Sequence, residues 1–528
     1  DMGAYGGAGA CSFVENATGG IVITPSFLEF ETTIVDSSQF IEININSQLS
    51  IQKQYNVSIE GNDSFSTINS FSVIPDQDLT IDVAFSPLTG GFNEATLIIE
   101  EVTDTAGQQF EILLQGDAIE GTSVSGESSG IWSVEGSPYL VTGDIVVNPY
   151  TSLTIEAGVD ILFFGENGIT INGELQINGS AQDSIYFSHV DGEQWAGINF
   201  EYATGVSNIS YADIKNTNDK AINSYYSQDI NIDNSYIHSF EGHAIYINDT
   251  FAEVTLDNIL IEDGESGTYI YARDTYLFLD NIDLNGGSTG IDFGGTGSFE
   301  LRNSNISGSS GSGINISGSN YTHQVEDCIF EDNSSGLSIG SYTSLVVDNS
   351  EFINNSSRGI YKVDSGGSLD VSNSLFQNNN SYGIYLNGGV AYTVNNCEFN
   401  SNGTGFGHAN PSSNSPRIIQ NSNFYGNNNG IYSNNRSEGP FVYNSQITNN
   451  SNYGIQGAHT VENCIVSNNG EYGVQESKYI NNATIVNNRY GVSSIENIRN
   501  SIIFFNSDSQ ISSSIVEYSA VQGGYEGE

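Results

Sequence analysis

The sequence predicts an all-β chain: an immunoglobulin-like β-sandwich followed by a right-handed parallel β-helix, a solenoid. Three observations predict it. From Trp195 onward two residue anchors recur together, the first at spacings of 18 to 25 residues. Two interleaved columns that share one period signify one coil per repeat rather than a helical pattern. Ahead of them, residues 21–120 alternate apolar and polar positions in short runs with no such period. Finally, 37% of the 528 residues are hydrophobic, with 29 Tyr and 27 Phe, which is enough for a packed core in a chain otherwise rich in Asn, Ser and Gly.

Residues 1–20 read as a tail or linker. The sandwich follows over 21–120, with alternating runs such as Phe40-Ile41-Glu42-Ile43-Asn44-Ile45 and Leu79-Thr80-Ile81-Asp82-Val83-Ala84-Phe85. Apolar residues at every second position suit strands with one buried face, and several such strands in about 100 residues suit an immunoglobulin-like sandwich. A linker is expected over 121–130 and the solenoid over 131–528.

The first solenoid anchor is a small residue, mostly Gly, shortly before an aliphatic one, as at Ile198, Ile222, Ile245, Ile270 and Ile291. The second is Asn, then usually a small residue, then an apolar residue at the third position, as at Asn234, Asn258, Asn281 and Asn303. Stacked coils lie about 4.8 Å apart, so equivalent residues form columns. The third position after the Asn anchor reads Phe330, Phe352, Phe376, Phe399 and Phe424, which predicts an aromatic stack inside the core. The Asn column is expected at a turn, and Gly at a second bend where a Cβ is costly.

Cys328, Cys397 and Cys464 share the column after the Asn anchor, where other coils carry Ser. Three coils separate neighbours, roughly 14 Å, beyond the reach of a disulfide, so free, buried thiols are expected. Cys11 stands apart, and with no CxxC or Cys/His cluster nothing suggests zinc. The half-coil leaving the Asn anchor is constant in length and the other half varies, with its longest excursion from Phe406 to Asn421. Insertions in solenoids gather on the functional face.

Twelve Lys and Arg against 63 Asp and Glu give a net charge of −51. Such a surface repels phosphate backbones and anionic membranes, so nucleic acid is excluded as a partner. It suits salty surroundings that screen the self-repulsion. No apolar run is long enough to span a bilayer, so no direct membrane insertion is expected.

Several passages carry resemblances. Thr24-Pro25-Ser26-Phe27-Leu28-Glu29-Phe30, Phe85-Ser86-Pro87 and Leu113-Leu114-Gln115-Gly116 resemble bacterial Hydin-type immunoglobulin-like domains, although Glu31 stands where that family has Gly. The succession Ser137-Pro138-Tyr139-Leu140-Val141-Thr142-Gly143-Asp144, Leu153-Thr154-Ile155-Glu156-Ala157-Gly158 and Trp195-Ala196-Gly197-Ile198 is similar to large right-handed parallel β-helix proteins of pectate-lyase-like architecture secreted by Bacteroidota and related marine bacteria. That resemblance implies an extracellular or cell-surface location, export with a type IX sorting tail, and an excerpt from a longer tandem array. In such arrays modules close on residues like those at Asp1 to Gly7.

The same architecture hosts polysaccharide lyases and glycoside hydrolases, so two function classes compete. A lyase needs a base beside a cation that neutralises a uronate. The nearest arrangement is Arg358 with Lys362 and Asp364, with His408 two coils on, and it is expected to be surface charge on a solvated wall. Gly242-His243-Ala244 and Gly407-His408-Ala409 are fragments of a polygalacturonase pattern. A non-enzymatic structural or adhesive role, with surface glycans or other surface proteins as partners, is the expected reading. Tyr246, Tyr271, Tyr361, Tyr385 and Tyr432 follow aliphatic anchors and should point outward. Exposed tyrosines can stack on sugar rings or merely pair across the sheet. The candidate ligand-binding residues are Tyr361, Tyr385, His408 and Arg417, with Arg417 expected at the surface. No cofactor or catalytic residue is assigned. Ca²⁺ is a candidate ligand for acidic turns such as Asp332 and Asp191-Gly192-Glu193.

Overall fold

A computed structural model describes residues 20–103, 107–248, 252–318, 321–363, 366–412, 416–512 and 514–524. Cys11, Asp364 and the opening residues Asp1 to Gly7 lie outside them. The chain divides into two compact units, the first reaching Ser123 and the second dominated by the solenoid.

Among the described residues the first unit is a β-sandwich of nine strands: β1 (Ile21–Thr24), β2 (Phe27–Ile34), β3 (Gln39–Ser47), β4 (Lys53–Gly61), β5 (Phe65–Thr67), β6 (Ser70–Val73), β7 (Leu79–Phe85), β8 (Gly91–Glu101) and β9 (Gln109–Ile119). One sheet runs β1-β3-β7-β5 and the other β2-β9-β8-β4-β6. Alternation does the work here. In β3, Ile43 and Ile45 are fully buried while Glu42 and Asn44 face outward. Phe30, Phe65 and Phe85 meet at the core with ring centroids 4.8 to 5.6 Å apart. Gly116 is small for this reason, since a Cβ there would lie 2.7 Å from the Phe85 ring.

The second unit is a right-handed parallel β-helix whose strands form one continuous hydrogen-bonded wall. The stretch expected as a linker, 121–130, carries the strand Thr122–Glu127, and this strand joins the wall. Among the described residues the one helical element is a three-residue 3-10 turn, Val134–Gly136. The aliphatic anchors sit in direct register from coil to coil, Ile222 on Ile245, Ile245 on Ile270 and Ile270 on Ile291. The aromatic column also forms as expected. Rings from Phe330 to Phe424 stack at 4.4 to 4.9 Å with planes within 6°, close to the coil spacing.

The Asn anchors sit where the backbone bends with positive φ, for example 55° at Asn258 and 53° at Asn281, both within strands, and their side chains form a ladder, Asn281 Nδ2 to Asn258 Oδ1 at 2.7 Å. The glycine anchors have a different reason from the bend expected of them. Gly359 lies inside the strand Arg358–Val363, and a Cβ there would lie 2.6 Å from the Gly383 carbonyl oxygen and 2.8 Å from the Phe376 ring. Close approach of the next coil, not a turn, excludes a side chain.

Cys328, Cys397 and Cys464 are free and buried. Each thiol donates to the carbonyl two residues earlier, as Cys397 Sγ does to Asn395 at 3.3 Å, and burial pushes the Cys397 thiol up to about 12.

Candidate ligand-binding face

The site expected from the sequence lies on the outer face of one solenoid sheet. Strands such as His243–Asn248, Thr268–Arg273, Arg358–Val363 and Tyr382–Asn387 each bury the residue on either side of a tyrosine and leave the tyrosine half-exposed. Register places Tyr246, Tyr271, Asp292, Asn315, Ser338, Tyr361, Tyr385, Gly407 and Tyr432 in one outward column.

Within that column the rings pair. Tyr246 and Tyr271 stack with centroids 4.6 Å and planes 9° apart, and Tyr361 and Tyr385 lie 5.8 Å and 15° apart. Parallel rings at 4.6 Å are too close to lie side by side, so Tyr246 and Tyr271 stack face to face along the solenoid axis. The outer faces of this stack carry cations, with Lys220 Nζ 5.1 Å from the Tyr246 centroid. Cations also lie on the rings: Arg358 is 4.3 Å from the Tyr361 centroid and 5.3 Å from that of Tyr385, and Arg273 is 4.2 Å from that of Tyr271. Arg273 also reaches the Asp292 carboxylate at 2.9 Å. Beyond Tyr385 the column falls to Gly407, where a Cβ would lie 2.6 Å from the Tyr382 ring and 3.2 Å from that of Tyr385. The Tyr382 and Tyr385 rings, 4.5 Å apart, therefore lean across this glycine.

The other two expected ligand residues are inside. His408 does share a column with Lys362, with Leu386 between them, but the column faces the core and both side chains are fully buried. This corrects the expectation that Lys362 is solvated surface charge. Its ammonium donates to the carbonyl oxygens of Thr343 at 2.7 Å and Gly340 at 3.2 Å, and burial lowers it to about 8. Burial likewise lowers His408 to about 4, with Arg417 acting in the same direction. Arg417 is 6% exposed, against the expectation of a surface residue, because it follows Tyr392 and Leu369 in a second inward column. Its guanidinium donates to the Ser412 carbonyl at 2.6 Å and pairs with Glu438. Tyr361 and Tyr385 thus come together on the face, whereas His408 and Arg417 do not join them there. Among the described residues no group of three or more His, Cys, Asp or Glu is placed to hold a metal ion.

A second Asn column went unread in the sequence. Asn333, Asn355, Asn379, Asn402, Asn427, Asn450, Asn469, Asn488 and Asn506 stand six residues after Asp327 and the successive Asn anchors, and all are buried. From Asn355 to Asn488 each side-chain amide donates to the Oδ1 of the next, as Asn379 Nδ2 does to Asn402 at 2.9 Å, and to a carbonyl of the coil below, as Asn379 Nδ2 does to Phe352 at 2.9 Å. The recurring second Asn was the available signal, and its role is to satisfy the backbone.

Residues 277–417 and 363–523 match the family model described as "Right handed beta helix region". A comparison with curated proteins finds no match. Among solved structures, the ASH/PapD-like domain of human CEP192 is 14% identical, with 21% of this chain and 97% of that chain covered and a TM-score of 0.18. A protein of unknown function from Porphyromonas gingivalis W83 is 11% identical over 21% of this chain and 60% of that one, at a TM-score of 0.18. A chaperone–tip subunit pre-assembly complex of the Acinetobacter baumannii Csu pili is 12% identical over 23% and 63%, at 0.17. Residues 277–523 are thus a right-handed β-helix region by family model and by the stacking of their strands alike.

Proposed function

We propose that this chain is a non-enzymatic structural or adhesive protein of the extracellular space or cell surface, and that its solenoid binds glycans on the outer tyrosine column near Tyr361 and Tyr385. One observation carries this reading. Tyrosine rings recur on a single outward column, while the nearby cations either lie on those rings or are buried. The competing reading, a lyase or hydrolase, called for Lys362 and His408 to reach a substrate, and both side chains point into the core. The charge of −51 supports a protein that stays soluble where salt screens its self-repulsion. No helix among the described residues is long and apolar enough to cross a membrane.

The test is a glycan array read beside reducing-end and unsaturated-uronate assays. Retention of a glycan without product, weakened by Tyr361→Ala with Tyr385→Ala, is the expected result. Release of reducing ends or unsaturated uronates, or no retention of any glycan, overturns the proposal.

A further inference from the structure

We propose a second saccharide site on the same outer face, in an open groove five coils before Tyr361, that takes an uncharged pyranose unit of a polysaccharide against the groove-side face of Tyr246, displacing the Lys220 ammonium that lies 5.1 Å from the ring centroid. It rests on the glycan-binding reading above but uses none of the residues assigned there.

The groove has a volume of about 600 Å³, and its lining includes Glu201, Tyr202, Lys220, Asn223, Tyr225 and Tyr246. Its shape follows from a step in the outward column, which reads Asn199, Asn223, Tyr246 and Tyr271 in consecutive coils. Two short amides are followed by two large rings, so the Tyr246 ring rises as an end wall above an Asn223 floor. Tyr271 stacks on the far side of that ring at 4.6 Å and holds it upright. The near face therefore looks along the solenoid axis into the groove. This is the geometry a sugar needs in order to lay its C–H face on an aromatic plane, and the tightly leaning Tyr382 and Tyr385 do not offer it.

The remaining walls supply polar partners. Tyr202 and Tyr225 are 63% and 37% exposed and meet edge to face at 5.7 Å along one side. His243, on the other side, is anchored through Nδ1 to the Thr268 carbonyl at 2.6 Å. Asn223 is fixed by its bond to Asn199 Oδ1 at 3.2 Å, so the floor presents a set amide rather than a loose one. Asn248 and the Glu201 carboxylate complete the lining and can accept from vicinal hydroxyls.

Charge selects the class of sugar. Lys220 lies 5.1 Å from the Tyr246 centroid and is paired with Asp219, so that cation is already compensated. A uronate would face the Glu201 carboxylate at a desolvation cost that an uncharged sugar does not meet.

Titration with cellopentaose, xylopentaose and mannopentaose, beside polygalacturonate and chitosan oligosaccharide, tests the site by Kd. Tyr246→Ala removes the platform, and Asn223→Trp fills the groove while leaving the tyrosine stack in place. A neutral oligosaccharide should bind the parent and weaken at least tenfold in both variants. If Tyr385→Ala abolishes binding and the other two variants do not, the groove is wrong and the Tyr361–Tyr385 reading stands. If only polygalacturonate or chitosan oligosaccharide binds, the neutral class is wrong. If no probe binds at all, both readings fail.

Discussion

His408 donates its Nε2–H to the carbonyl oxygen of Gly388, 2.8 Å away, and so is tied into the solenoid wall rather than presented on it. A carbonyl only accepts, so this bond fixes the proton of the neutral ring on Nε2 and leaves Nδ1 as a buried lone pair. Burial lowers the ring to about 4 in the folded chain, against 6.5 for an ordinary histidine. Between these values the unfolded chain binds the proton and the folded chain does not, so stability is lost as pH falls from 6.5 to 4. The full effect is on the order of 3 kcal/mol. Thermal midpoints at pH 7 and pH 4.5 should therefore fall further apart in the parent than in His408→Gln, which keeps a donor for Gly388. Equal shifts in the two proteins would refute this.

Arg417 and Tyr385 should separate cleanly in stability. Arg417→Ala strands the Ser412 carbonyl and Glu438 and removes a stem that is only 6% exposed. The expected cost is about 1–3 kcal/mol. Tyr385→Ala trims a half-exposed ring and should cost less, within about 1 kcal/mol. Urea titration of the two variants decides, and a harmless Arg417→Ala would mean that the inward column is misplaced.

Asn402 tests the inner ladder. Its amide donates to the Phe376 carbonyl at 2.8 Å and to Asn427 Oδ1 at 2.9 Å, and its Oδ1 accepts from Asn379. Asn402→Ala leaves several buried groups unpaired, for a loss of about 2–4 kcal/mol. A shift of the urea midpoint no larger than that of an exposed Asn421→Ala would contradict the assignment.

Cys397 should tolerate Ser. Ser374, one coil earlier in the same column, donates through Oγ to the Ser372 carbonyl at 2.6 Å, just as Cys397 Sγ donates to Asn395. Cys397→Ser should stay within about 1 kcal/mol of the parent. In the native parent, thiol reagents should modify Cys328, Cys397 and Cys464 only on unfolding, because the thiols are buried and held protonated by burial. Rapid native labelling is the result that argues against burial.

Part of the site was legible and left unread. Alternation makes Ile360 inward and Tyr361 outward, which already places Lys362 inward. The same parity from Phe406 through Gly407 places His408 inward as well. Reading charge as exposure overrode that parity. Arg417 was not legible in the same way, because it follows the longest excursion, and no local pattern says which column resumes afterwards. Only its pairing with Tyr392 in the neighbouring coil shows that it enters the core.

The sequence by itself determined the solenoid, its register anchors, the Phe330–Phe424 stack and the unpaired cysteine column. A repeat that stacks on itself turns sequence period directly into spatial columns, so each of these is a one-dimensional fact. The tertiary structure decided what no period encodes. It set the tilt that lays Tyr382 and Tyr385 over Gly407, the face-to-face pairing of Tyr246 with Tyr271, and the open step above Asn223. Those depend on side-chain rotamers and on unlike neighbours in successive coils, and packing fixes both only once the coils are stacked.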